Sequence, residues 1–336
     1  MVTLILTLVG LTQGMLRDLS ERNRGSGADI MIRPPNSSLL AFTLAMPEKV
    51  VTKVRAQPHV ALATGTFIHQ IDAFGDFIAG IHLNEFNALS GGLTYVNGGP
   101  FSRPDDLVID TEYARSKHLR VGDTLDLGVT WHIVGVIEAG KGSRAFSAIG
   151  QLQELYSGTG TVNVIWVKAD DPANIPTIIN SLKENLPDYK VDSMEQYLSL
   201  LSVDAIPLLK PFTNVVVGVG VFVGFLVVCL SMYTAVLERT REIGILKALG
   251  ASPVYILGVL MRETVLLALV GAILGIIMSY GARGLLRATA PTMTMAIAYS
   301  WWPGAFAVAL VGSLLGTLFP GLKAARQDAI EALSYD

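Results

Sequence analysis

Apolar and polar positions alternate on two very different length scales along this chain. From Phe212 to Ala235 no charged residue occurs. At roughly 1.5 Å per residue that is about 36 Å of helix, enough to cross a hydrocarbon core about 30 Å thick with some tilt. A second apolar segment, 254–282, keeps Arg262 and Glu263 near its first end, where their side chains can reach lipid headgroups. A third, 301–322, is opened by Tyr299, Trp301 and Trp302, an interfacial aromatic belt. Met1 to Met15 is apolar as well, but would make only about 22 Å of helix. No basic residue precedes it and no small-residue cleavage site is evident. It is read as a first transmembrane helix over 1–16, shortened by where this chain starts, rather than as a secretory signal.

Between the first two apolar segments, residues 17–210 show the shorter periods of a folded α+β domain. Val60–Thr64, Phe77–Ile81, Leu107–Ile109, Val162–Lys168 and Lys190–Asp192 have the aliphatic or β-branched content of strands. Thr124–Leu127 and Trp131–Ile137 flank Gly128 as a hairpin. Pro47–Ala56 and Thr111–His118 predict short helices. A longer helix over Pro172–Leu186 places Ile175, Ile178, Ile179 and Leu182 on one face. The Gly- and Asn-rich stretch 83–105 reads as loop-like and as an inserted lobe. Ser143 to Phe146 reads as a hairpin. Pro207 and Pro211 interrupt the approach to the second span and predict a hinge there.

The segment 238–253 is charged although it joins two apolar spans. Glu238, Arg239, Arg241 and Glu242 open it, and Ile243, Ile245, Leu246 and Leu249 follow at roughly helical spacing, with Lys247 among them. This is an amphipathic helix at a membrane surface, ended by Gly250 ahead of Pro253. Basic residues alone would serve as anchors for anionic lipid. Interleaved acidic residues point instead to contact with a protein. Within the spans, Gly220-x-x-x-Gly224, Gly271-x-x-x-Gly275 and Gly312-x-x-x-Gly316 give each complete segment a small-residue face for helix packing, within the chain or between subunits.

Charge follows the same division. Residues 17–210 hold 17 Lys/Arg against 22 Asp/Glu, a balance of −5, while the chain as a whole stands at −3. The single cysteine, Cys229, lies inside a span, so no disulfide staples the polar region. Six basic residues (Arg239, Arg241, Lys247, Arg262, Lys323, Arg326) fall on one side of the spans and two (Arg283, Arg287) on the other. The positive-inside rule then puts both chain ends and 238–253 in the cytoplasm and 17–210 outside it.

Catalytic chemistry finds no residues to use. Gly135-x-x-x-x-Gly140-Lys141 approaches a phosphate-binding loop, but Gly142 stands where a magnesium-binding Ser or Thr belongs. The histidines His59, His69, His82, His118 and His132 share no metal-ligand spacing, and neither a nucleophile elbow nor a His-Glu-x-x-His pattern occurs. No metal, no nucleic-acid partner and no cofactor of its own is expected. An autonomous carrier would need ionisable groups inside the spans, and the charges of the later spans fall only near their ends.

The run Glu238-Arg-Thr-Arg-Glu-Ile-Gly-Ile-Leu-Lys-Ala-Leu-Gly-Ala-Ser252, the tail Phe319 to Leu333 and one large domain between the first two spans resemble the FtsX-like permeases, close to the MacB type of ABC transporter membrane subunit. The polar region carries the resemblance too, in Phe77–Leu93, Arg103–Leu127 and His132–Gly140. It implies an α-helical membrane protein of four transmembrane helices with a large extracytoplasmic, porter-like α+β domain inserted between helices 1 and 2, followed by a cytoplasmic tail over 323–336. It implies a multi-pass place in the bacterial cytoplasmic (inner) membrane, within the lipid bilayer. A separate cytoplasmic ABC ATPase would bind the ATP and dock on Glu238, Arg239, Arg241, Glu242, Ile243, Lys247 and Gly250. A second permease copy or paralogue, a periplasmic adaptor and an outer-membrane duct are further implied partners. Export of antibiotics, peptides or lipoproteins is the implied activity. The alternative is a non-transporting FtsX-like regulator that activates a cell-wall hydrolase.

Overall fold

A computed structural model describes residues 1–39, 42–71, 76–202, 206, 209–290 and 292–326. The chain divides into two compact units. One comprises Gly14–Ile206 and Leu286–Thr294, the other Met1–Gln13, Pro207–Leu285 and Met295–Asp336.

The first unit is built on a mixed sheet. In chain order its elements are the polar end of α1 (Val2–Arg24), β1 (Ile30–Arg33), β2 (Met46–Pro47), α2 (Lys49–Arg55), β3 (Val60–Gln70), β4 (Phe77–Ile81), α3 (Leu83–Ser90), β5 (Tyr95–Gly98) and β6 (Asp106–Asp110). There follow α4 (Thr111–Lys117), β7 (Thr124–Asp126), β8 (Thr130–Ile137), β9 (Ala145–Ala148), α5 (Ile149–Leu155), β10 (Thr161–Val162), β11 (Val164–Ala169), α6 (Ile175–Asn185), β12 (Lys190–Ser193) and α7 (Met194–Leu200). The strand order is β12-β1-β11-β3-β4-β9-β6-β8-β5, with β7 added to β8, and β2 and β10 form a separate pair. The β4–β9 and β6–β8 pairs are parallel and the rest antiparallel.

Alternation along the central strands feeds two cores. Ile30, Ile32, Leu107, Ile109, Ile165 and Val167 pack on one face with Val54 of α2, Leu152 of α5 and Leu182 of α6. Met31, Val108, Val164 and Trp166 pack on the other with Phe86 of α3 and Tyr197 of α7. Both faces of the sheet are therefore covered by helices, which is why every residue of β1 and β6 is buried rather than alternating in and out.

The stretch 83–105 is neither loop-like nor a separate lobe. Leu83–Ser90 is helical with Phe86 and Leu89 in the core, and Tyr95–Gly98 is the sheet's edge strand on β8. Gly91 ends α3 in the left-handed region, and Gly98 closes β5. Ser143 to Phe146 is no hairpin, because Ala145 already belongs to β9, paired between β4 and β6. Nor does α1 stop at residue 16. It runs to Arg24, with Arg17–Glu21 and Asp18–Arg22 ion pairs one turn apart, so the helix outlasts the apolar stretch that hydropathy detects.

In the second unit, α8 (Leu209–Glu238), α10 (Pro253–Thr289) and α11 (Trp302–Arg326) join the first residues of α1, with the short α9 (Thr240–Ala248) between α8 and α10. Among the described residues four helices, counting α1, are long and apolar enough to cross a membrane. Val215, Val219, Phe222, Leu226 and Leu230 form an exposed apolar stripe on α8, suited to lipid. Pro211 is not a break. It lies exposed in the first turn of α8, where the backbone N–H it lacks has no helical partner in any case. Pro207, the other half of the expected hinge, lies outside the described residues, as does the tail from 327 on.

Candidate functional site

The charged segment between the second and third spans is shaped by three local devices. Arg239 leaves helical geometry at φ −103°, ψ 16° and separates α8 from α9. At the other end Ala251 N–H donates to Leu246 O at 3.0 Å and Gly250 N–H to Lys247 O at 2.9 Å. Gly250 adopts φ +95°, the left-handed residue that this helix stop requires. Ser252 Oγ then accepts from Tyr255 N–H at 3.2 Å, and Pro253 opens α10 at its first position.

The faces of α9 are unlike one another. Thr240 and Gly244 are buried, the Thr240 hydroxyl donating to Val236 O at 2.9 Å. Ile243 packs against Met232, Val236, Ile256 and Leu260. The opposite side presents Arg241, Glu242, Ile245, Leu246 and Leu249 to the exterior, Leu249 being 80% exposed. Among the described residues neither Arg241 nor Glu242 has an ion-pair or hydrogen-bond partner. Arg239 is different, because its Nη1 lies 3.4 Å from both carboxylate oxygens of Glu263 on α10. Of the residues expected to bind a partner, Glu238, Arg241 and Glu242 stand exposed, Arg239 is occupied within the chain, Ile243 faces inward and Gly250 shapes the helix end.

The expected packing glycines are placed unequally. A Cβ on Gly316 would stand 2.9 Å from Phe225 O and 3.2 Å from Cys229 N, so α8 and α11 meet backbone to backbone there. Gly275 admits α1 in the same way, with Val2 Cβ at 2.8 Å and the Thr3 hydroxyl donating to Gly275 O at 3.2 Å. Gly312 faces Val221 more loosely, and Gly220 and Gly224 face Met1. A Cβ on Gly271 would meet nothing within 4 Å among the described residues, so of the two kinds of packing its spacing allowed, contact inside the chain is not made there. Together with Gly220, Gly224 and Gly312 it lines an apolar groove of about 580 Å³.

The near-match to a phosphate loop has other work. Lys141 Nζ donates to Ser90 O at 2.8 Å, and a strand rather than a helix follows. The helix N-terminus on which a phosphate-binding loop relies does not follow it.

Sequence reasoning missed a buried ion cluster around Arg144. Just ahead of β9, with the side chain 1% exposed, this guanidinium reaches Asp76 through Nε at 3.0 Å. Nη1 reaches Asp110 at 3.2 Å and Glu112 at 3.0 Å, and Nη2 reaches Asp18 on α1 and the carbonyl of Thr292 at 3.0 and 3.1 Å. Arg22 holds the same Asp18 oxygen at 3.1 Å. Burial by itself would lower the Arg144 pKa, but Asp110, Asp18 and Asp76 outweigh it and raise the pKa above the ordinary arginine value, so the side chain stays charged. These residues are scattered over almost 280 positions, and no local spacing announces them.

A family model described as FtsX-like permease C-terminal matches residues 214–329, and one described as MacB-like periplasmic core domain matches residues 2–185. Over 163 residues the chain is 35% identical to the uncharacterized ABC transporter permease YknZ of Bacillus subtilis, covering 47% of this chain and 40% of that protein. Over 320 residues it is 26% identical to the macrolide export ATP-binding/permease protein MacB of Hahella chejuensis, covering 85% of this chain and 48% of that protein. The periplasmic region of MacB from Actinobacillus actinomycetemcomitans aligns with a TM-score of 0.40 at 14% identity, over 51% of this chain and 92% of that structure. The chain spans about half the length of the curated relatives it matches.

Proposed function

Because the chain belongs to the FtsX-like permeases with a MacB-like periplasmic core domain, and is thus a multi-pass ABC transporter permease, we propose that it couples ATP hydrolysis by a separate cytoplasmic ATPase to movement of its sheet domain on the outer side of the bacterial inner membrane. The observation that carries this reading is the outer face of α9. It combines an unpaired Arg241–Glu242 couple with Ile245, Leu246 and Leu249, all exposed in a helix whose other face is packed. Lipid alone would select apolar and basic residues there; a protein surface also gives the acidic one a partner. Arg239 is held by Glu263 and contributes to the shape of α9 rather than to the contact.

In this reading the chain itself performs no covalent chemistry and binds no nucleotide. Cargo is handled by the sheet domain, and export or extrusion of antibiotics, peptides or lipoproteins is the activity that fits the family. The macrolide export of the MacB relative from Hahella chejuensis supports this. A second permease copy completes the membrane part, and an adaptor with an outer-membrane duct would carry cargo onward.

Arg241→Ala with Glu242→Ala tests the reading. Truncating desolvated, charge-assisted contacts costs about 2–5 kcal/mol in a complex. The double variant should insert normally yet fail to retain the ATPase in pull-downs or to stimulate its hydrolysis. Full complex formation and stimulation would reduce α9 to a membrane anchor. Normal ATPase coupling with no cargo export, accompanied by a stable complex between the sheet domain and a cell-wall hydrolase, would favour the regulatory alternative.

A further inference from the structure

We infer that Arg144 is a positioning residue that clamps the α10–α11 connection and the polar end of α1 to one point of the sheet, so that the three move as one body. The inference rests on the reading of the chain as an ATP-driven permease for its consequence, but the clamp itself stands on geometry. A guanidinium offers five N–H donors in a rigid planar fork. Here the fork is directed at four different parts of the chain: Asp18 on α1, Asp76 ahead of β4, Asp110 and Glu112 at the start of α4, and Thr292 in the segment 286–294. Thr292 contributes its main-chain oxygen, so the contact fixes the path of the backbone there.

As a device for stability alone this cluster is a poor choice. It places the formal charges of Asp18, Asp76, Asp110 and Glu112 around Arg22 and Arg144, largely out of water, where packed apolar residues do as well or better. What it provides is direction. Remove Arg144 and the carboxylates repel one another, while Arg22 keeps its ion pair with Asp18. Lysine cannot substitute, since a single ammonium on a flexible stem cannot hold opposed partners in one plane. The covalent path makes this connection relevant to transport. Segment 286–294 includes the end of α10 and leads toward α11, and α1 carries Asp18 on the same helix as its apolar residues.

The test uses the full chain in lipid nanodiscs and amide hydrogen exchange. Arg144→Lys should speed exchange at least tenfold in 14–24 and 286–294 and leave β3 and β11 at the wild-type rate. Asp18→Asn, which removes one arm and is a milder change, should release 14–24 but not 286–294. Arg33→Lys is the control. Arg33 is another buried arginine, held by Asp192 and Ser38 O, and its loss should leave 286–294 protected.

Spin labels at Lys117→Cys and Thr294→Cys in a Cys229→Ala background should give one narrow distance, unchanged when the partner ATPase and ATP are added, and a broad one after Arg144→Lys. A narrow distance with unchanged exchange in Arg144→Lys overturns the inference. So does an equal loss of protection over the whole sheet, which would mark Arg144 as a core staple only. The exchange arm needs no ATPase, so failure of the proposed coupling through α9 would leave it readable.

Discussion

Asp110 concentrates several demands on one side chain. It caps α4, accepting Tyr113 N–H at 2.6 Å, and meets Arg144 at 3.2 Å, with Glu112, Asp18, Asp76 and Arg22 in the same cluster. Burial outweighs Arg144 and the Tyr113 N–H and pushes its carboxyl up to about 6 from 3.8. A carboxyl that holds its proton more tightly in the folded chain contributes stability that is complete below about pH 4 and lost as pH rises through about 6. Asp106 works the opposite way. Burial opposes its ionisation, but the N–H groups of Arg103 and Ser102 and the Ser102 hydroxyl hold it below the usual range, so its contribution is lost on acidification. Asp110→Asn keeps a side chain able to cap the helix. The stability of wild type minus that of this variant, from thermal melts at each pH, should therefore decrease between pH 4 and pH 7, by at most about 3 kcal/mol. A constant difference would mean that Asp110 is ionised throughout. No sequence pattern could have located this group. Asp110 was legible only as the residue before a predicted helix, whereas its electrostatics come from burial and from Arg144 and Arg22, which chain folding brings to it.

Elements were legible in proportion to how local their causes are. The four apolar helices and α9 follow from apolar length, capping residues and Gly250, all readable from short windows. The helix α3 and the strand β9 were missed because their apolar residues are few and their partners distant; Ala145 and Phe146 become a strand only between β4 and β6. Packing glycines show the same limit, since spacing proposes a face and only neighbours decide whether it is used. Gly316→Ala should force α8 and α11 apart, because the added Cβ meets main-chain atoms that cannot turn aside, with a loss of about 1–3 kcal/mol expected for an overpacked contact. Gly271→Ala meets nothing within 4 Å among the described residues and should be neutral or slightly stabilising. Thermal unfolding of both variants in detergent checks the contrast. A marked loss of self-association in the second alone would place Gly271 at the contact between permease copies.

For the whole molecule, the sidedness of the sheet domain is the decisive quantity. Asp188 and Ala248 are both exposed, one in the sheet domain and the other on α9. With Cys229→Ala as background, Asp188→Cys should react with a membrane-impermeant thiol reagent in intact cells and Ala248→Cys only after lysis; the reverse pattern would invert the topology. What the amino-acid sequence determined was the division into spans and a polar domain, together with α9 and the family, because bilayer thickness, helix caps and motif residues act over windows of tens of residues or fewer. What only the tertiary structure decided was which residues of α9 remain free, which glycines touch another helix, and that Asp18, Arg144 and the Thr292 carbonyl share one guanidinium. Those are properties of chain segments separated by up to 274 positions, and the free energy that selects them arises from burial and charge at a point of convergence that no stretch of sequence contains.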